Sequence, residues 1–166
     1  MITEIGFPGG TEINGRERGS FYRDSYSVTV GKKGLGARQV YHGIFGYLSM
    51  PVQVALRVRN SVAKLVGFAA TNTTMSALSM EEVQPGKRAG FLTIEAASDS
   101  EVVCGAYEKN MDMWISVLKL SEQDFAISTL VNLKTRSGKI YMAIIKPFHK
   151  VVAKYSIRQS LKAGRI

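Results

Sequence analysis

The sequence has little cysteine and proline, and it has no long uninterrupted run of apolar residues. Its 166 residues include one Cys and four Pro. The lone Cys104 cannot form an internal disulfide, and zinc sites built on cysteine need several thiolates or histidines. The scarcity of Pro and a hydrophobic fraction of 45% argue against wholesale disorder or a fibrous repeat. We therefore expect a globular chain, whose length suits one domain.

The sequence also lacks the features of an export signal and of a membrane-spanning helix. The N-terminus carries Glu4 early and has no basic start followed by an apolar centre. A membrane-spanning helix needs roughly 18 uninterrupted apolar residues, whereas Arg57 and Arg59 interrupt the best candidate. We expect a soluble, cytoplasmic protein with a flexible, glycine-containing leader at residues 1–20 and a single α+β domain at residues 21–166.

Acidic residues are missing from the C-terminal part of the chain. Residues 1–131 contain 13 basic and 13 acidic side chains, so residues 132–166 carry the whole net charge of +9. This imbalance suggests an anionic partner, whether nucleic acid, a membrane surface or an acidic protein. The alternative is a solvated face whose aliphatic stems cover the edge of the core. Five cations of the predicted last helix recur every four residues as a basic stripe: Lys146, Lys150, Lys154, Arg158 and Lys162.

Hydrophobic periodicity predicts a strand and two helices in the first half. Residues 22–30 alternate like a strand, with aromatic and β-branched side chains on one face. From residue 37 the apolar positions recur at helical spacing as far as Leu48, and a second helix starts at Pro51. The apolar stripe predicted for this second helix consists of Ala55, Val58, Val62, Leu65 and Val66.

The second half of the sequence predicts a long connection, a sheet and a last helix. Residues 69–90 have the composition of a long connection with one short helical turn near residues 79–83. Four strand-like runs follow, at residues 91–96, 102–107, 113–120 and 125–133. Their short spacers leave no room for helical crossovers, so an antiparallel meander is expected.

The run at residues 140–145 fits either a fifth strand or the start of the last helix. We place that helix from about Pro147 because apolar positions then recur at helical spacing. Its inward edge is expected to consist of Phe148, Val151, Val152 and Tyr155.

The predicted fold is a curved antiparallel sheet packed on a C-terminal helix, with two helices after the first strand. This order is similar to the helix-grip arrangement of the START and Bet v 1 superfamily, in which an apolar cavity often lies between sheet and helix; the comparison concerns the fold alone. Facing aromatic side chains lead us to expect a small apolar or amphipathic ligand there. The candidate ligand-binding residues are Tyr26, Tyr41, Phe45, Phe91, Trp114, Tyr141, Phe148 and His149.

Titratable residues indicate no specific chemistry. The glycines of residues 31–36 match neither the phosphate-loop nor the dinucleotide pattern, and no cofactor, metal ligand or catalytic residue is indicated. Two polar candidates remain, Asp24 and Asp112. An enzyme would need both to meet His149 in one cleft.

One segment resembles a known family. The sequence Gly-Lys-Ile-Tyr-Met-Ala-Ile-Ile-Lys-Pro-Phe-His-Lys at residues 138–150 is similar to the closing signature of an uncharacterised bacterial family, domain of unknown function 2867. Further agreement comes from Tyr22-x-Asp24-x-Tyr26, and the resemblance extends over about residues 20–163. Family members often carry a His shortly before the aspartate at residue 112, where this chain has Asn110-Met111. The family implies no activity; relatives occur alone or fused to short-chain-dehydrogenase-like domains.

Overall fold

The computed structural model of the chain describes residues 1–47, 49–68 and 77–166. The described residues form one antiparallel sheet, three α-helices and a short 3-10 turn at Met80–Glu82. The strands are β1 (Ile2–Glu4), β2 (Ser20–Thr29), β3 (Arg88–Ala89), β4 (Leu92–Ala97), β5 (Glu101–Tyr107), β6 (Met111–Lys119) and β7 (Asp124–Leu133). The helices are α1 (Ala37–Phe45), α2 (Met50–Leu65) and α3 (Arg136–Lys162).

The sheet confirms the predicted α+β meander. Its strand order is β1-β2-β7-β6-β5-β4-β3, and every neighbouring pair is antiparallel. The first long strand, β2, therefore pairs with the last strand, β7, with Ser20 opposite Leu133 and Thr29 opposite Asp124. The sheet is open and curved, and α3 packs on it. The comparison with the helix-grip arrangement stays a prediction.

The first two helices follow the predicted order. Helix α1 begins at Ala37, and α2 has Pro51 in its first turn, where a missing N–H costs nothing. The predicted end of the first helix at Leu48 and the early part of the predicted connection, residues 69–76, lie outside the described residues. None of the α-helices described is long and apolar enough to cross a membrane.

Helix α3 begins at Arg136 rather than near Pro147, so residues 140–145 belong to the helix and not to a fifth strand. The Thr135 hydroxyl caps it by accepting a hydrogen bond from the Gly138 N–H at 3.1 Å. Pro147 lies inside the helix, although proline lacks the N–H that the preceding turn needs. Tertiary packing overrides this cost, because both halves of α3 bury side chains, Tyr141 before the proline and Ile157 after it.

Alternate strand positions define two faces of the sheet. The inner face carries Tyr26 and Val28 of β2 and is covered by the helices. The outer face carries Trp114 and Leu130, which pack with the fully buried Ile13 of the N-terminal segment. That segment lies within the predicted leader at residues 1–20, whose strand β1 also pairs with β2. The domain boundary at residue 20 and the flexibility of the leader stay predictions.

The inward edge predicted for the last helix is wrong at two of its four positions. Phe148 is 54% and Val151 is 68% exposed, whereas Val152 and Tyr155 are partly buried. Helix α3 carries a second apolar stripe that points to solvent, and periodicity alone cannot tell which stripe faces the sheet. Helix α2 shows the same error, because Val58 and Leu65 of its predicted stripe are exposed.

Candidate functional site

The register of the sheet separates the predicted site residues. On β6, Asp112 lies opposite Asn132 and Trp114 lies opposite Leu130, which puts both on the outer face. Asp24 lies opposite Thr129 of β7. Because side chains alternate along a strand, Thr129 points to the face opposite that of Asn132 on the same strand, so Asp24 lies on the inner face. The carboxylates of Asp24 and Asp112 therefore point to opposite sides of the sheet. The acid–base site that would join both to His149 does not form.

Most of the predicted aromatic residues pack as core on the helix side. Tyr26, Tyr41, Phe45 and Phe91 belong to the main apolar cluster or pack against it. The thiol of Cys104 donates a hydrogen bond to the Tyr41 hydroxyl at 3.2 Å. Burial raises the pKa of Cys104 to about 12, so this thiol stays protonated and is a packing group rather than a nucleophile.

Tyr141 and Phe91 are joined through one cation on α2. The Arg59 Nε–H donates to the Tyr141 hydroxyl at 3.1 Å, and the Arg59 guanidinium lies 4.2 Å from the centroid of the Phe91 ring. The Tyr141 ring packs on Phe68 at 4.9 Å between centroids. Tyr141 and Phe91, both predicted to bind the ligand, therefore already contact other protein groups.

Asp24 and His149 meet where α3 crosses β2. The Asp24 side chain is 1% exposed, and the His149 Nε2 lies 3.3 Å from its Oδ2. The hydroxyls of Tyr22 and Tyr26 donate to the same carboxylate at 2.7 and 3.1 Å. The Tyr22 ring also meets the His149 imidazole edge-on. The two segments that carried the family resemblance, around Asp24 and around His149, therefore touch in the folded chain.

Electrostatics keep this cluster in defined protonation states. Burial on its own raises the pKa of Asp24, but the hydrogen bond and charge of His149 and the tyrosine hydroxyls outweigh it and lower that pKa below its usual value. Burial and the Asp24 carboxylate raise the pKa values of Tyr22 and Tyr26, so both hydroxyls remain donors. A catalytic role for Asp24 and His149 stays a prediction.

The basic stripe of α3 is partly neutralised by the N-terminal strand. Lys150 Nζ lies 2.7 Å from a Glu4 carboxylate oxygen and Lys154 Nζ lies 3.7 Å from the other. Lys146 lies over the Tyr22 ring. Arg158 and Lys162 are exposed, and no carboxylate of the described residues lies within 4.0 Å of either.

A cavity of about 260 Å³ lies among the helices, and sequence reasoning missed it. We call it the helix cavity; it is lined by Ile44, Tyr47, Ser49, Val52, Ala77, Ser156, Gln159 and Arg165. None of the eight predicted ligand-binding residues is among them. The guanidinium of Arg165 lies 4.3 Å from the centroid of the Tyr47 ring. Its Nε is the one buried side-chain nitrogen or oxygen without a hydrogen-bond partner in the described part of the chain.

A wider cleft of about 470 Å³ opens on the outer face beside Trp114, lined by Arg16, Arg18, Glu95, Tyr107, Asp112, Trp114 and Asn132. Each charged side chain there already bonds a neighbour. Arg16 and Tyr107 bond Glu95, and Lys134 bonds Asp112. The Arg18 guanidinium donates to two backbone carbonyls. The charged groups of this cleft are therefore already paired, whereas Arg165, which lines the helix cavity, has a buried Nε without a hydrogen-bond partner.

Among the described residues, no group of three or more His, Cys, Asp or Glu side chains is close enough to hold a metal ion.

Comparisons with known proteins agree with the resemblance noted in the sequence. No curated protein matches this chain. Residues 17–156 match the family described as "Protein of unknown function (DUF2867)". The matched range includes β2, all the helices except the last turns of α3, and both halves of the Asp24–His149 pair. On that match, the chain belongs to the DUF2867 family.

Proposed function

We propose that this protein binds a small amphipathic ligand with an acidic head group in the helix cavity. The proposal keeps the ligand class expected from the sequence and moves its site. The cavity lies between α1, the start of α2 and the last turns of α3, rather than between α3 and the sheet.

The observation that carries the proposal is the buried Nε of Arg165. A polar hydrogen-bond donor removed from water costs free energy unless it finds a partner, and nearly all such groups in folded proteins do find one. The Arg165 guanidinium lies 4.3 Å from the centroid of the Tyr47 ring, which also lines the cavity, and this contact favours its position at the cavity wall. Because Arg165 lines the cavity, a carboxylate or phosphate bound there would accept from its guanidinium with a charge-assisted bond.

The rest of the lining fits the apolar part of such a ligand. Four lining residues offer hydrocarbon and three add neutral polar groups: Ile44, Tyr47, Val52 and Ala77, and Ser49, Ser156 and Gln159. The volume of about 260 Å³ is just below the roughly 300–1,000 Å³ of pockets for drug-sized ligands. A short acyl chain with one acidic end therefore suits the space better than a long lipid.

The test uses calorimetric titration with octanoate and with 1-octanol, which has the same chain and no charge. We expect octanoate to bind more tightly, and the substitution Arg165→Met to weaken octanoate roughly tenfold to a hundredfold, because a hydrogen bond to a charged group contributes about 1.5–3 kcal/mol. Binding of 1-octanol should change little.

The matched control is Arg158→Met, which removes an exposed guanidinium from the same end of the molecule. Its octanoate affinity should equal that of the unmodified protein. If octanoate binds no better than 1-octanol, or if both variants lose affinity equally, the cavity is not a site for an acidic head group.

A further inference from the structure

The helices α2 and α3 contain no acidic residue. Together they carry ten cations: Arg57, Arg59, Lys64, Arg136, Lys139, Lys146, Lys150, Lys154, Arg158 and Lys162. Glu4 of β1 pairs with two of them, Lys150 and Lys154, at one edge of α3. Seven others are exposed and have no carboxylate within ion-pairing distance among the described residues. These seven are Arg57, Lys64, Arg136, Lys139, Lys146, Arg158 and Lys162.

The same two helices expose apolar side chains in regular stripes. On α3 the stripe is Ile140, Ile144, Phe148 and Val151, at the i, i+4, i+8 and i+11 spacing of one helix face. On α2 the exposed apolar residues are Met50, Val54, Val58 and Leu65, the last of which is 85% exposed. Single exposed apolar residues are ordinary, but two stripes on neighbouring helices form a patch that marks a contact surface.

The geometry turns both stripes to the same side of the molecule. The helices run in opposite directions, because Arg59 of α2 bonds Tyr141 near the start of α3, whereas Val52 and Gln159 line the same cavity at the other end. Helix α3 packs on the inner face of the sheet and α2 packs on α3, with Ala63 of α2 buried in the same apolar cluster as Val131 and Tyr141. The side chains opposite these buried positions point outward. We call the outward side of the two helices the α2–α3 surface.

We propose that the α2–α3 surface docks on the anionic face of a phospholipid bilayer. Amphipathic helices that lie in the bilayer interface bury an apolar stripe at the boundary of head groups and acyl chains, and their flanking Lys and Arg contact anionic lipids. The α2–α3 surface supplies the stripe through Phe148, Ile144 and Val151, and it supplies cations without any acid to repel the lipid phosphates. This inference is independent of the ligand in the helix cavity.

Two other occupants suit the surface less well. Proteins that bind single-stranded nucleic acid combine cations with aromatic side chains on which bases stack, but seven of the eight exposed apolar side chains here are aliphatic or Met. A second copy of this chain would place one acid-free cationic surface against another, which like-charge repulsion disfavours. Both occupants are outcomes of the test below.

The test is co-sedimentation of the full chain with vesicles of phosphatidylcholine containing or lacking about 30% phosphatidylserine. We expect binding only to the vesicles with phosphatidylserine, and binding that weakens when NaCl rises from about 50 to about 500 mM, since added salt screens charges at the surface. Competition with single-stranded DNA and sedimentation of the protein alone are measured alongside.

Two matched pairs of variants test the charge and the apolar stripe separately. Lys64→Gln with Lys139→Gln should weaken vesicle binding about twenty-fivefold, at about fivefold for each cation near the membrane. Its control, Lys32→Gln with Lys33→Gln in the exposed turn before α1, makes the same change of charge off the surface. Phe148→Gln should weaken binding about tenfold, whereas Leu120→Gln, which removes a similarly exposed side chain from the β6–β7 turn, should not.

Three results would overturn the proposal. The first is equal binding to vesicles with and without phosphatidylserine. The second is equal loss in a surface variant and its control. The third is tight binding of single-stranded DNA, or self-association, that the surface variants abolish while vesicles do not bind.

Discussion

Two carboxylates, Asp24 and Glu101, are buried on opposite faces of the same sheet and are satisfied in different ways. Asp24 on the inner face accepts from two tyrosine hydroxyls and lies against the His149 imidazole. Glu101 accepts from the hydroxyls of Thr11 and Ser116 and from the Glu12 backbone N–H, and no cation of the described residues lies within ion-pairing distance of it.

The difference shows how each covering layer is fastened to the sheet. A hydroxyl or backbone N–H does not titrate near neutral pH, so Glu101 holds the N-terminal segment through neutral donors. The Asp24 carboxylate holds α3 through His149, and against the effect of burial its pKa is lowered by the His149 hydrogen bond and the tyrosine hydroxyls, so this link weakens when the carboxylate is protonated. We therefore expect the helix layer to respond to protonation of its link, and the predictions below test this contrast.

The largest effect is expected from Asp24→Asn. The amide keeps the shape of the carboxylate but removes its charge and turns an NH₂ group toward donors, so the free energy of unfolding should fall by about 3 kcal/mol. Urea denaturation at pH 7 measures this fall in the free energy of unfolding. Glu122→Gln, in the exposed β6–β7 turn, removes one carboxylate charge from the surface and should change stability by less than about 0.5 kcal/mol.

A smaller loss of unfolding free energy is expected from Glu101→Gln. The amide oxygen can still accept from Thr11 and Ser116, whose hydroxyls are already 3.1 Å apart and can bond each other. The main loss is the charge-assisted bond to the Glu12 N–H, so about 1.5 kcal/mol is expected in the same urea titration. A loss as large as that of Asp24→Asn would show that the two links do not differ.

The smallest expected effect is a change with pH in the stability that the Asp24 carboxylate contributes. Its folded-state pKa is lowered, so the ionised carboxylate stabilises the fold above the ordinary pKa of about 3.9, and this contribution is lost as pH falls through the folded-state value. The stability difference between the unmodified protein and Asp24→Asn should therefore shrink in urea titrations from pH 6 down to pH 3. A difference that stays constant over this range would contradict a lowered pKa.

The sheet could be predicted from the sequence because its long strands alternate strongly and their spacers are short. Strand β1 could not, since its three residues are only partly buried or exposed and show no alternation. The orientation of α3 could not be predicted either, because the stripe with Phe148 and the buried positions with Tyr141 have the same helical spacing.

The candidate sites depended on contacts between distant parts of the chain. Asp24 and His149 could each be named as candidates, but their contact joins residues 125 positions apart and depends on the register of α3 on β2. The helix cavity had no sequence signal, because Arg165 reads as one more cation in a basic tail. Only packing shows that its Nε is buried without a partner.

Pro147 has a consequence for the local opening of α3. Without an N–H at this position, the carbonyl of Ala143 receives no helical hydrogen bond, so cooperativity along the backbone is interrupted there. Tyr141 and Met142 anchor the first half to α2 and the sheet, whereas Ile157 and Ser160 anchor the second half towards α1. Hydrogen exchange should therefore report two separate opening units within one continuous helix.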